Sequence, residues 1–254
     1  MRLLDTETGR FLEIANPTDL PYAILSHTWD PKGEQTYQDI RKIQATYEAP
    51  GICGILLFYI GCAIRGACAY ARADGNKYIW IDSCCIDKSS SAELSEAINS
   101  MYIWYQTATV CYVFLSDVTG RSKGDMDHDE FFYSRWHTRG WTLQELLAPA
   151  AVVFLSRHWL YLGTKFTLAL QLERRLGIPY SVLTRAVPME DVSVAQRFSW
   201  AAQRETTRAE DRAYCLLGVF GVTMPPLYGE GNRAFHRLQQ AIWAQRPDHS
   251  IFAW

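Results

Sequence analysis

The chain has 254 residues, 48% of them hydrophobic and 20% charged, a composition that supports a packed core and excludes a disordered chain. A formal net charge of −2, with no run of Lys or Arg interleaved with aromatics, excludes a broad phosphate-binding surface, so nucleic acid is not an expected partner. The seven cysteines form no CxxC pair and MRLLDTETGR lacks the apolar core of a secretory signal, so a cytoplasmic protein with reduced thiols is expected.

In chain order, RLLDTETGRFLEI reads as a hairpin turning at Thr8–Gly9, and YAILS (22–26) as a short apolar strand. TYQDIRKIQATY has a helical pattern. GICGILLFYIGCAI, Gly51 to Ile64, is uncharged but shorter than the roughly 20 residues a spanning helix needs, so it reads as either buried or aberrant and no membrane span is expected. RGACAYARADG predicts a helix closed by Gly75, and YIWID (78–82) a second buried strand. SSAELSEAINSMYIWYQTA predicts a helix: Ser90 and Glu93 have capping-box spacing, and Leu94, Ile98, Met101 and Tyr105 share one face. VCYVFLS (110–116) is a third strand, and an acidic loop, GDMDHDE, follows. After RGWTLQELLAP, AVVFLS (151–156) is a fourth strand. Strands alternating with helices predict an α/β fold with a mainly parallel sheet and helices on both faces.

The remaining residues are more helical. KFTLALQLERRLG ends at Gly177, and VAQRFSWAAQRET, DRAYCLLGVFG and NRAFHRLQQAIWAQR carry apolar faces at helical spacing. The expected division is an α/β core over 1–160 and a helical part over 161–254 packed on it. GEGNRA matches GxGxxA, but MPPLY before it is no buried strand, so a tight turn feeding a helix is the better reading of that stretch. Arg208, Asp211 and Arg212 sit near a helix start, where charge pairing with the body is the ordinary explanation.

In open α/β sheets the ligand lies beyond the carboxyl ends of the strands. Those ends read SHTWD (26–30), DSCCIDK (82–88), SD (116–117) and SR (156–157), a clustering of polar residues, although Ser, Asp and Thr after strands also serve as turn and cap residues. In RGWTLQELLAP, Glu145 falls on the helix face of Trp141 and away from Leu143, Leu146 and Leu147. Two readings stand: a capping box of Thr142 and Glu145, or a carboxylate held beside an aromatic wall in a cleft. Cys84 and Cys85 at one strand end and His27 at another make a Cys–His pair conceivable, while adjacent buried cysteines are usually small core residues. The histidines show no zinc-ligand spacing.

YAILSHTWD, YIWIDSCCIDK and RGWTLQELLAP, in that order, resemble the three signature blocks of the fungal heterokaryon incompatibility (HET) domain, and TTRAEDRAYCLLGVFGVTMPPLYGEGNRAFHRLQ resembles the form common in mushroom-type fungi. The resemblance implies a role in non-self recognition and programmed cell death. A more distant similarity is to Toll/interleukin-1 receptor-like (TIR) domains, which share a flavodoxin-like order of elements and, in members that cleave NAD, a W-x-x-x-E helix. Trp141 and Glu145 match that spacing, and Ser26 and Asp30 match the end of the first strand. The resemblance implies NAD or a related nucleotide as substrate, no bound cofactor, Glu145 as the catalytic carboxylate, and self-association and an NLR-type sensor as partners. Trp141 or Trp29 would stack on a base, Arg139 would pair with pyrophosphate, and Ser26, His27, Asp30 and Cys84 would lie around the ligand; Asp82 and Asp87 either orient these groups or cap loops. A non-catalytic module acting by homotypic association is the alternative.

Overall fold

The structure, a computed structural model, describes residues 1–46, 59–120 and 126–253. Seven strands form one mixed sheet: β1 (Arg2–Asp5), β2 (Phe11–Glu13), β3 (Ala23–His27), β4 (Tyr78–Trp80), β5 (Val110–Phe114), β6 (Val152–Leu155) and β7 (Tyr161–Thr164), in the order β2-β1-β4-β3-β5-β6-β7. The four strands expected from the sequence are the central ones, and all four run parallel. Their apolar side chains explain this: β3 is buried at every position and β5 at all but the last, so both faces of each need cover. In register, Ala23 to His27 lie beside Val110 to Phe114, and Ala23 and Ile24 beside Ile79 and Trp80.

The edges are antiparallel. β1 and β2 form the expected hairpin, whose turn is fixed by the Asp5 carboxylate accepting from the N–H groups of Glu7 (3.0 Å) and Thr8 (2.8 Å) and by Gly9 at φ 68°. At the other edge β7, which the sequence reading does not anticipate, pairs with β6. Its YLGT is too short to carry a strand signal of its own.

Helices cover both faces. α1 spans Tyr37–Thr46 and α2 Cys62–Ala73, the latter closed by Gly75 at φ 83° as the sequence predicts. The Tyr112 ring meets Tyr70 of α2 edge-on at 5.1 Å, whereas the neighbouring Cys111 points to the opposite face, toward Glu145 and Lys165. Residues 51–58 of the apolar segment lie outside the described residues, and no described helix is long and apolar enough to cross a membrane. After β4 come a short helix, α3 (Asp82–Cys85), and the long α4 (Ser91–Thr107). Ser90 caps α4 by accepting from the Glu93 N–H at 3.3 Å, but Glu93 does not reciprocate as a capping box would. Its carboxylate instead accepts from Arg2 and the Asp87 N–H, both at 2.7 Å. That pairing ties the first strand to the β4–α4 loop.

Between β5 and β6 lie α5 (His128–Tyr133), a 3-10 turn (Arg135–Thr138) and α6 (Thr142–Leu147). The rest of the chain is helical apart from β7: α7 (Ala169–Leu176), α8 (Tyr180–Leu183), α9 (Val194–Ser199), α10 (Asp211–Tyr214), α11 (Leu217–Phe220) and α12 (Arg233–Gln245). Main-chain bonds from Gly140 N to Glu205 O (2.9 Å) and from Glu205 N to Thr138 O (2.7 Å) stitch this part to the loop before α6. GEGNRA is a turn: the N–H groups of Gly229 and Gly231, both at positive φ, donate to one oxygen of Glu210 at 2.8 and 3.0 Å.

Close approach of α11 to α4 requires glycine. A Cβ added at Gly218 would lie 2.0 Å from Cβ of Tyr102, well inside contact distance. Gly218→Ala should therefore force the two helices apart and destabilise the protein by about 1–3 kcal/mol, read as a lower urea midpoint with unchanged slope.

Candidate functional site

β3 is the strand at which the parallel order reverses, because the chain leaves it to form β4 on one side and later returns to form β5 on the other. Ligands in such sheets sit at this point beyond the carboxyl ends. A cleft of about 400 Å³ lies there, with Glu145, His27, Asp82, Trp29, Trp141 and Arg139 in its lining.

Glu145 is only 7% exposed, and every residue of α6 is buried, so this helix is not the two-faced surface element its spacing implies. The capping-box reading fails on geometry. Trp141 occupies the N-cap without a capping side-chain bond, and the single Thr142 hydroxyl hydrogen lies between the carbonyls of Trp136 (2.7 Å) and Arg139 (2.9 Å). Buried Arg204 donates to that same hydroxyl (2.9 Å) and to the Arg139 carbonyl (2.8 Å), which locks the start of α6 in place. Freed from capping, the Glu145 carboxyl accepts a hydrogen bond from the Ser26 hydroxyl at the end of β3. The indole N–H of Trp136 donates to the same Ser26 oxygen at 2.7 Å. An indole can only donate, so Ser26 accepts from Trp136 and keeps its own hydrogen for the Glu145 carboxyl when that group is ionised.

Burial pushes the Glu145 carboxyl up to about 8, and the nearby Asp82 charge adds to the shift; the Ser26 hydrogen bond, His27 and Arg204 oppose it. Glu145 is therefore a neutral acid at neutral pH. His27 is buried beside it. Burial alone would lower its pKa, but the Glu34 carboxylate bonded to Nε2 at 2.8 Å and the charges of Asp82, Glu34 and Glu145 raise it overall. Nδ1 of His27 lies 3.9 Å from Asp82, whose other oxygen accepts from the Trp29 indole at 2.9 Å. The Lys88 ammonium sits 3.5 Å above the Trp29 ring.

Of the residues singled out from the sequence, His27, Trp29, Asp82, Arg139, Trp141 and Glu145 meet around the cleft, and Ser26 stands directly behind Glu145. Asp30, Cys84 and Asp87 are not in the lining. Asp30 caps the turn after β3, accepting from the Lys32 N–H at 2.8 Å. Asp87 caps its own loop through the N–H of Ser89 at 3.0 Å. Cys84 is fully buried in α3 as a free thiol, and a hydrogen bond with Cys85 together with burial hold it well above the usual range. Buried away from the cleft that His27 lines, this thiol is not placed to act with that histidine as a nucleophile. Arg208 and Asp211 also depart from expectation: they line the cleft, with Arg208 4.3 Å above the Tyr228 ring and Asp211 accepting from the Tyr228 hydroxyl at 2.9 Å. Sequence reasoning missed Glu34, Trp136 and Tyr228. Only Trp136 had a local signal, standing five residues before Trp141 in SRWHTRGW.

Residues 22–131 match the family model described as heterokaryon incompatibility protein (HET). The chain is also 44% identical, over 255 aligned residues and 95% of its length, to the vegetative incompatibility protein HET-E-1 of Podospora anserina, of which it spans 18%. Both findings are similarities to heterokaryon incompatibility proteins. The alignment with HET-E-1 covers 95% of this chain, whereas the family model stops before Trp141 and Glu145. No solved structure matches the chain.

The Glu145 carboxyl titrates near 4.5 when unfolded and near 8 when folded, so between those values the folded protein holds the extra proton. Stability is thus highest in this respect below about 4.5 and is lost as pH rises through about 8. Glu145→Gln mimics the neutral acid and removes the dependence. Relative to the parent, the variant should gain on the order of a few kcal/mol between pH 4.5 and 8, measured by urea unfolding at both ends of that range.

Proposed function

We propose that this chain is the HET module of a protein acting in fungal non-self recognition and programmed cell death, and that its cleft hydrolyses the N-glycosidic bond of NAD or a related nucleotide. The observation that carries this reading is Glu145 itself, a buried carboxyl aligned by Ser26 in a cleft whose lining also supplies indoles and guanidinium groups. Breaking the base–ribose bond builds positive charge on the sugar, and a carboxylate beside it stabilises that state. Trp29 and Trp141 offer flat faces for a base, and Arg139 and Arg208 offer charge for a pyrophosphate. The low polarity that keeps Glu145 protonated also strengthens its attraction to a cationic sugar once the proton has left.

Further support comes from the sheet. The parallel strands lie in the spatial order second, first, third, fourth, as at the start of a flavodoxin-like sheet, the arrangement of TIR domains. Trp141 and Glu145, which keep the W-x-x-x-E spacing, both line the cleft. Association of several copies, and recruitment by an NLR-type sensor, belong to the same proposal.

Artificially clustered protein should deplete cellular NAD or a related nucleotide and kill, and Glu145→Gln should reduce both effects by about 10²-fold or more. Death with nucleotides undiminished would contradict hydrolysis and favour a non-catalytic module acting by self-association. Because ionised Glu145 does the work, the rate should climb with pH toward about 8. Ser26 favours the ionised form, so Ser26→Ala should move that rise to higher pH, read from the pH profile of the clustered protein.

A further inference from the structure

A second cavity of about 470 Å³ lies behind the helix that carries Glu145, with Leu147 of α6, Tyr102 and Gln106 of α4, and Arg185 and Arg197 in its lining. Arg197 is 7% exposed. Its Nη1 donates to the Val219 carbonyl at 3.1 Å and its guanidinium packs 5.0 Å from the Phe220 ring, but its buried Nε has no hydrogen-bond partner. Among the described residues no carboxylate comes within ion-pair distance of Arg197 or Arg185. The acids whose charge reaches Arg197 are Asp248 and Glu190, and Glu190 itself lines the cavity without coming within ion-pair distance of either arginine. Asp248 is engaged by the N–H groups of Val194 and Ser250, both at 2.9 Å.

Two other buried cations are more fully bonded, although Arg204 also keeps one unpartnered buried nitrogen, Nη2. Lys165 donates to the carbonyls of Leu146 (3.0 Å) and Pro149 (2.6 Å), and Arg204 to three oxygens, beside a cavity of only about 20 Å³. Arg197 has one acceptor and a large space beside it. A buried cation without a counterion is costly, and an anion in the cavity removes that cost. Arg185 also lines the cavity, and its guanidinium lies 3.5 Å from the carbonyl of Ala148 at the end of α6.

We propose that this cavity binds a small phosphorylated molecule, its phosphate held by Arg185 and Arg197 and its body against Leu147, Val182 and Phe220. Two guanidinium groups and the Tyr102 hydroxyl suit an anion with several oxygens, and the volume exceeds that of a bare phosphate. The site lies on the opposite side of α6 from the Glu145 cleft, and its ligand touches the end of that helix.

The test is calorimetric titration of the whole chain with pyrophosphate and with ADP, using the parent, Arg185→Gln and Arg139→Gln. Arg185 is exposed, so its loss leaves the core untouched. Binding that falls at least tenfold in Arg185→Gln and persists in Arg139→Gln supports the site. Binding unaffected by Arg185→Gln, binding abolished only by Arg139→Gln, or no binding of either probe at millimolar concentration overturns it. Failure here leaves the Glu145 cleft untouched, because that cleft is probed by the separate Arg139 arm.

Discussion

The hydrogen-bond chain from the Trp136 indole through Ser26 to Glu145 ties the end of β3 to the 3-10 turn and α6, which lie more than a hundred residues further along the chain. An acid buried this deeply is stable only if its proton is retained or its charge is matched. Here both conditions are partly met: the proton stays to about pH 8, while His27 and Arg204 stand close enough to favour ionisation. The surrounding structure serves this poise. Arg204 and Thr142 fix the start of α6, Glu34 holds His27, and Asp82 lies between His27 and Trp29. A group suspended between its two protonation states is suited to chemistry in which charge appears and disappears beside it.

Much of the fold was legible because its central strands are buried on both faces and read as unbroken apolar runs, YAILS and VCYVF above all. The clustering of polar residues at their ends followed from the sheet rule without any knowledge of side-chain contacts. Glu145 shows the limit of periodicity. Its helix was read as two-faced, yet the C-terminal helices and the sheet enclose it on all sides, which no local pattern reports. Asp30 and Asp87 follow the ordinary habit of aspartate after strands, capping turns, while Asp82 one loop away reaches the cleft. Composition cannot separate these cases, because what differs is the direction each side chain takes from the backbone.

Arg208, Asp211 and Tyr228 come to the cleft from the C-terminal part of the chain. From the sequence they belong to a helical part packed on the core, but they close one side of the cleft, so the site is assembled from both halves of the chain. Tyr228 owes its place to the turn that Glu210 organises around Gly229 and Gly231. The main-chain pairing of Thr138 and Gly140 with Glu205 brings that half against the start of α6. Any change that loosens this seam acts on the floor and the wall of the cleft together.

The central claim is that Glu145 is a neutral, buried acid aligned by Ser26, and carbon-13 NMR of the glutamate side-chain carboxyls reads it directly. Comparing the parent with Glu145→Gln assigns the resonance, and its chemical shift is then followed with pH. A midpoint near 8 is the predicted result. A midpoint near the ordinary glutamate value of about 4.3 would show an ionised, solvated carboxylate and contradict the account.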